Sequence, residues 1–157
     1  MPSRPIHQVL ADRSFVDVSI FTSVREVTQL MQAQHCSAAL ITEHGVLTGI
    51  FTERDATFRV IAAGLDPDTT AVGEVMTHNP MTLSEDKPFG HALHLMYENG
   101  IRHVAVVDAA KSPVGVVTAR DALQLDALAG GADQVHARQQ RVLAAVEQHH
   151  FMPRRLR

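Results

Sequence analysis

Gly49-Ile50-Phe51-Thr52-Glu53-Arg54-Asp55 returns as Gly115-Val116-Val117-Thr118-Ala119-Arg120-Asp121, 66 residues further along. Upstream, Leu30-Met31 returns as Leu95-Met96 at a spacing of 65. The odd residue belongs to a loop, where Glu43-His44-Gly45-Val46 stands against Asp108-Ala109-Ala110-Lys111-Ser112-Pro113-Val114. Insertions cost least in loops, so the discrepancy supports a duplication. Chance explains one such match but poorly explains two in the same order, and self-similarity at a fixed period marks a repeat architecture.

Each copy reads alike. Ser23 caps a helix whose apolar positions Val24, Val27, Leu30 and Met31 share a face. In the second copy Pro88 starts the helix, Phe89, Ala92, Leu93 and Met96 line it, and Asn99-Gly100 stops it. A short apolar strand follows (Ala38 to Ile41, and Val104 to Val107), then a tight loop and a second strand (Val46 to Phe51, and Val114 to Val117). Another helix starts at Thr52 or Thr118, with Ala56, Val60 and Ile61, or Ala122, Leu123 and Leu125, as its apolar face. A short first strand is expected near Val16–Ile20 and Met81–Leu83. The fold class is therefore α/β (α+β), two β-α-β-β-α units. Neither unit hides both faces of its strands alone, so the two pack sheet to sheet around one core. Repeat 1 is placed at residues 6–66 and repeat 2 at 70–128. The turn-rich stretch Leu65 to Thr70 links them, and Thr70 caps a short helix, Ala71 to Met76. A further helix is expected over 132–151, with Val135, Val142, Leu143 and Val146 apolar, then a frayed tail over 152–157.

Composition bounds the function. A chain of 157 residues hides ~70% of its unfolded surface, enough for a core without staples. Hydrophobic residues are 45% and charged residues 20%, which excludes wholesale disorder. The net charge of −3 excludes a generally basic nucleic-acid binder. The single Cys36 forms no internal disulfide and fits a reducing compartment. No apolar run approaches the ~20 residues of a membrane span, and Met1 to His7 lead into no signal segment. A cytoplasmic location is the expectation.

Thr-x-x-Asp ahead of an apolar helix is a capping box: the hydroxyl accepts from the third amide and the carboxylate reaches back to the cap. The same geometry also suits a ligand. A helix N-terminus offers unpaired amides to a phosphate. The threonine hydroxyl adds a hydrogen bond, and a carboxylate one turn on accepts both hydroxyls of a ribose. Gly49 and Gly115 leave the backbone open to approach.

Gly-h-h-Thr-x-Arg-Asp, preceded by a strand and occurring twice, resembles the tandem cystathionine-beta-synthase (CBS) domain pair, or Bateman module. Val72-Gly73-Glu74-Val75-Met76-Thr77 and Ile101 to Asp108 are also similar to that family, and the likeness covers roughly residues 6–128. It implies a pseudo-twofold pair, an adenosine ligand (AMP, ADP, ATP or S-adenosylmethionine) in clefts between the repeats, no catalytic cofactor, and a regulatory rather than enzymatic role. It further implies a homodimer, and with no effector domain in the sequence the expected output is an effector protein in trans. Carried over, Thr52 and Thr118 take phosphate, and Asp55 and Asp121 take ribose. Arg102 and His103 join the cleft of Thr52 and Asp55 as further phosphate ligands, while Ser37 and Ala38 join that of Thr118 and Asp121. Ala38, Ala39, Met81 and Val104 are cleft-wall positions for adenine. The chain departs from the family where Leu40 and Ala105 stand in place of a frequent proline.

Ten histidines invite a metal reading, but no Cys-x-x-Cys or His-Glu-x-x-His spacing accompanies them, and no metal is expected. No nucleophile elbow or Walker pattern occurs. Arg138, Arg141, Arg154, Arg155 and Arg157 read as a solvated basic end. The rival to a nucleotide sensor is a structural dimerisation protein in which the Thr-x-x-Asp corners only cap helices. Arg102 and His103 give the first cleft a fixed cation and an imidazole, whereas Ser37 and Ala38 give the second a hydroxyl and a methyl. Titration should therefore show Arg102→Ala weakening AMP or ATP binding more than Ser37→Ala; equal losses contradict the asymmetry.

Overall fold

The short apolar runs form two sheets in the computed structural model of the chain, which describes residues 3–129. Two compact units are distinguished, Pro2–Ala119 and the part from Arg120 on. The first carries α1 (Ile6–Leu10), β1 (Val16–Val18), α2 (Val24–Ala33), β2 (Ala38–Glu43) and β3 (Val46–Thr52). Next come α3 (Glu53–Asp55), which continues as a wider-wound segment, Ala56–Ile61, then α4 (Val72–Val75) and β4 (Thr77–His78). Last are β5 (Thr82–Ser84), α5 (Phe89–Asn99), β6 (His103–Val107) and β7 (Pro113–Thr118). The chain leaves β7 into α6 (Ala119–Ala129). The helix expected at 132–151 and the tail at 152–157 lie outside the described residues.

One sheet has the order β1-β2-β3-β4 and the other β5-β6-β7. In each, a short first strand runs parallel to the middle strand, and the hairpin strand runs antiparallel. Both hairpins carry an irregularity at the same place, at Ile41/Thr42 and at Val106/Val107, next to the loops that differ in length. The second loop is held by Asp108, whose Oδ1 accepts from the amides of Ala110 (2.8 Å) and Ser112 (2.9 Å).

The helix signals hold at most ends. The Ser23 side chain accepts from the Glu26 amide at 3.2 Å. Pro88 precedes α5, and Gly100 ends it in the left-handed region at φ 63°. Three expectations need correction. Ile61 is 75% exposed while Val60 is buried. The segment there closes i→i+5 bonds, Ala62 to Thr57 and Leu65 to Val60, so an α-helical face does not carry through it. Thr70 does not cap α4: the cap is Ala71, whose amide donates to Glu74 Oε2 at 3.0 Å. Ala71 has no side-chain acceptor, so only this half of a capping box forms. The expected strand near Met81–Leu83 starts one residue later, and Thr77–His78 adds a strand to the first sheet that the sequence pattern did not suggest.

The two repeats exchange the segments that precede them. The amides of Val72 and Gly73 donate to the carbonyls of Thr22 (2.8 Å) and Ile20 (3.0 Å), and the Val24 amide donates to Thr70 (3.0 Å). The equivalent bonds run from Ile6 to Lys87 (2.9 Å), from His7 to Glu85 (2.9 Å) and from Phe89 to Arg4 (2.8 Å). So α4 lies on the first repeat and α1 on the second. The last apolar side chain of each exchanged segment lies over a glycine of the motif. A Cβ on Gly49 would run into Met76 Sδ, and one on Gly115 would come within 3.0 Å of Leu10. The expectation that these glycines admit a ligand is thereby corrected: Met76 and Leu10 fill the space. The linker is tied down as well. Arg25 Nε donates to Asp68 Oδ1 at 2.7 Å, and this bond holds the Asp68 carboxyl below its ordinary range.

The middle strand β2 is buried on both faces. Ala39 and Ile41 join Val16, Val24, Val27, Met31, Phe51, Val60 and the α4 residues Val72, Val75 and Met76 in one core. Ala38 and Leu40 point the other way and, with Ile50, meet Ala105 of the second sheet. That second, smaller cluster joins the two sheets. Gly49→Ala should therefore overpack the Met76 contact and lower stability by about 1–3 kcal/mol. Gly45→Ala meets no atom within 4 Å and costs only its φ of +78°. Urea unfolding of the two variants checks the difference.

Candidate functional site

β3 delivers Thr52 to the start of α3, and the turn closes as a complete capping box. Thr52 Oγ1 accepts from the Asp55 amide at 3.4 Å and donates to Asp55 Oδ2 at 3.0 Å. The Thr52 amide donates to the same oxygen at 2.9 Å. Asp55 is 9% exposed, so its charge needs these donors. Its other oxygen, Oδ1, faces Arg59 Nε at 3.4 Å. The corner is thus a buried carboxylate and a hydroxyl at a helix start, with every partner supplied by the chain itself.

Of the corresponding pair in the second copy, Thr118 is half-buried at the end of β7, and Asp121, in α6, is 4% exposed. The two helices leave their sheets through equivalent backbone bonds. The Glu53 amide donates to Ser37 O at 3.2 Å, and the Ala119 amide donates to Arg102 O at 3.1 Å. This makes Ser37 and Arg102 equivalent positions, as the sequence alignment of the two copies implies. The Arg102 side chain is exposed. His103 opens β6 half-buried, and its Nε2 lies 2.7 Å from Ser37 Oγ. The structure therefore joins two residues that the sequence assigned to opposite clefts. Of the cleft-wall positions, Ala38, Ala39 and Val104 are buried within the sheets and Met81 is 47% exposed. Ala39 pairs with Val16 on one side and Phe51 on the other, and Val104 pairs with Val117. Among the described residues no group of three or more His, Cys, Asp or Glu could hold a metal ion. No helix there is long and apolar enough to cross a membrane.

Arg59 is the residue at this corner that motif reading missed. Its Nη1 donates to Met76 O at 2.8 Å and Val75 O at 3.1 Å, besides the Nε contact to Asp55. The available signal was its i,i+4 spacing from Asp55, which makes the two neighbours on an α-helical surface.

The model of the CBS domain family matches residues 6–61 and 72–127, and the chain belongs to this family. A CBS domain-containing protein of Arabidopsis thaliana is 37% identical over 106 residues, 68% of this chain and 20% of that protein. The chain thus spans about a fifth of that relative's length. A structure of a conserved protein from Pyrococcus horikoshii matches with TM-score 0.72 and 29% identity, covering 81% of this chain and 95% of that one. A CBS domain pair solved with 5'-methylthioadenosine and S-adenosyl-L-methionine matches with TM-score 0.69 and 28% identity, covering 78% and 98%. A Pyrobaculum aerophilum CBS domain protein complexed with AMP shares the fold with TM-score 0.70 and 24% identity, covering 81% and 100%.

Thr52→Ala removes the hydroxyl that both accepts from the helix and donates to Asp55. Urea unfolding should show a loss of ~1 kcal/mol, the usual value of an N-cap, with Thr52→Ser retaining most of it.

Proposed function

We propose that the chain is a regulatory module that binds an adenosine-containing ligand between its two CBS repeats and signals to a protein in trans. The observation that carries this reading is the Thr52–Asp55 corner: a hydroxyl at a helix start and a nearly buried carboxylate one turn on. Relatives solved with AMP and with S-adenosyl-L-methionine support the ligand class. The hydrogen-bond pattern suggests how exchange proceeds. Thr52 Oγ1 turns its proton from Asp55 Oδ2 to a phosphate oxygen, and the vacated acceptor on Oδ2 takes a ribose hydroxyl. The ligand-free protein keeps the carboxylate satisfied, and the ligand replaces one partner with another.

In this reading Thr52 and Thr118 meet phosphate, Asp55 and Asp121 meet ribose, and Ala38, Ala39, Met81 and Val104 border the base. Arg102 favours a phosphorylated ligand in the first cleft. His103 joins Arg102 on the phosphate, beside its bond to Ser37. The working form is a homodimer in the cytoplasm with no catalytic step. Ligand binding favours one arrangement of the repeats over another, by as much as its affinities for the two differ.

One observation favours a second reading, a structural dimerisation or interaction protein. The corner is complete without any ligand, because Thr52 and Arg59 satisfy Asp55. Thermal unfolding separates the two. Under the first, saturating AMP, ATP or S-adenosylmethionine raises the melting midpoint, with ~2.7 kcal/mol of stabilisation at a hundredfold excess over the dissociation constant. Asp55→Ala abolishes that rise. Under the second, no ligand moves the midpoint at millimolar concentration, and Asp55→Ala only lowers it.

A further inference from the structure

Arg59 touches two things that the capping motif does not connect. Nε faces Asp55 Oδ1 at 3.4 Å, and Nη1 donates to the carbonyls of Val75 (3.1 Å) and Met76 (2.8 Å). Those carbonyls are the end of α4, where a helix has acceptors without internal donors. Met76 is also the residue whose side chain lies over Gly49, and directly after it the chain pairs with β3, Thr77 against Ile50 and His78 against Gly49. Arg59 therefore links the carboxylate of the first corner to the segment that leads into the second repeat.

We propose that Arg59 is a positioning residue that makes the seating of α4 depend on the state of the Asp55 carboxylate. The planar guanidinium is suited to this, because separate donors on one rigid fork serve the carboxylate and the carbonyls together. An ammonium at the end of a flexible stem does not hold both. If the carboxylate loses its charge or turns to other donors, the fork loses its anchor on one side and its aim at Val75 and Met76 on the other. A ribose on Asp55 is one such donor set, and in that respect the inference rests on the adenosine-binding reading. The position 66 residues on from Arg59 is Leu125, which carries no charge.

Amide hydrogen exchange on the full chain tests this at residues 75–79. There the Met76 amide is held by Val72 O (2.9 Å) and the Asn79 amide by Thr48 O (3.0 Å). Loss of a charge-assisted hydrogen bond should speed exchange about tenfold, so Arg59→Gln speeds these amides by that factor. Asp55→Asn should speed them in the native background and add nothing in the Arg59→Gln background. Arg59→Lys, which keeps the charge but loses the fork, should resemble Arg59→Gln and serves if the latter folds poorly. If Asp55→Asn leaves residues 75–79 unchanged, or acts equally in both backgrounds, Arg59 is only a local brace and the proposal is overturned. Saturating AMP should alter the same amides in the native chain and not in Arg59→Gln. If AMP alters nothing while the mutant pattern holds, the adenosine reading falls and the Arg59 link stands.

Discussion

The contact of Met76 with Gly49, mirrored by Leu10 over Gly115, governs the architecture. A glycine is required in each hairpin because a side chain from the preceding segment of the other repeat occupies the place of its Cβ. That contact fixes where α1 and α4 sit, and their backbone bonds to Lys87, Glu85, Thr22 and Ile20 follow. Interiors packed at crystal-like density tolerate no added methyl at such a place. The pseudo-twofold relation between the repeats is thus enforced by side chains, in addition to being inherited from a duplication. The motif glycine, whose simplest sequence reading is access for a ligand, is a packing residue.

The site inherits its order from this arrangement. β3 can deliver Thr52 to the first corner because Phe51 is anchored in the core on one face and Ile50 between the sheets on the other. Asp55 is nearly buried there and is held by the Thr52 amide, the Thr52 hydroxyl and the Arg59 guanidinium. Such a carboxylate is preorganised: its orientation is set before any ligand arrives, which lowers the ordering cost of binding. Under the proposed function, the price of that order is that Thr52 gives up its bond to Asp55 when a ligand acceptor arrives. In the proposed reading the same corner serves stability and recognition with one set of atoms.

Much of the fold was legible in the sequence because the duplication supplies its own control. A strand at Ala38 to Ile41 is more credible when Val104 to Val107 reads the same way, and both appear where expected, lengthened to Glu43 and extended back to His103. The capping pair Thr52 and Asp55 was equally readable, being local in sequence. What could not be read depends on contacts distant in the chain. The pairing of Thr77–His78 with β3 is one such contact, as are the bond between Ser37 and His103 and the reach of Arg59 to α4. Ile61 illustrates a local failure: helical periodicity assumes i→i+4 winding, and the segment from Ala56 does not keep it.

The exchange of leading segments also bears on how the chain matures during synthesis. When residues up to Ile61 have left the ribosome, the first sheet still lacks β4 and the α4 residues of its core, and α1 has no partner to dock on. The first repeat thus waits, half-covered, for material encoded after it. Its core and sheet are completed only by Val72 to His78, so a nascent chain stalled before them presents an open apolar surface rather than a finished domain.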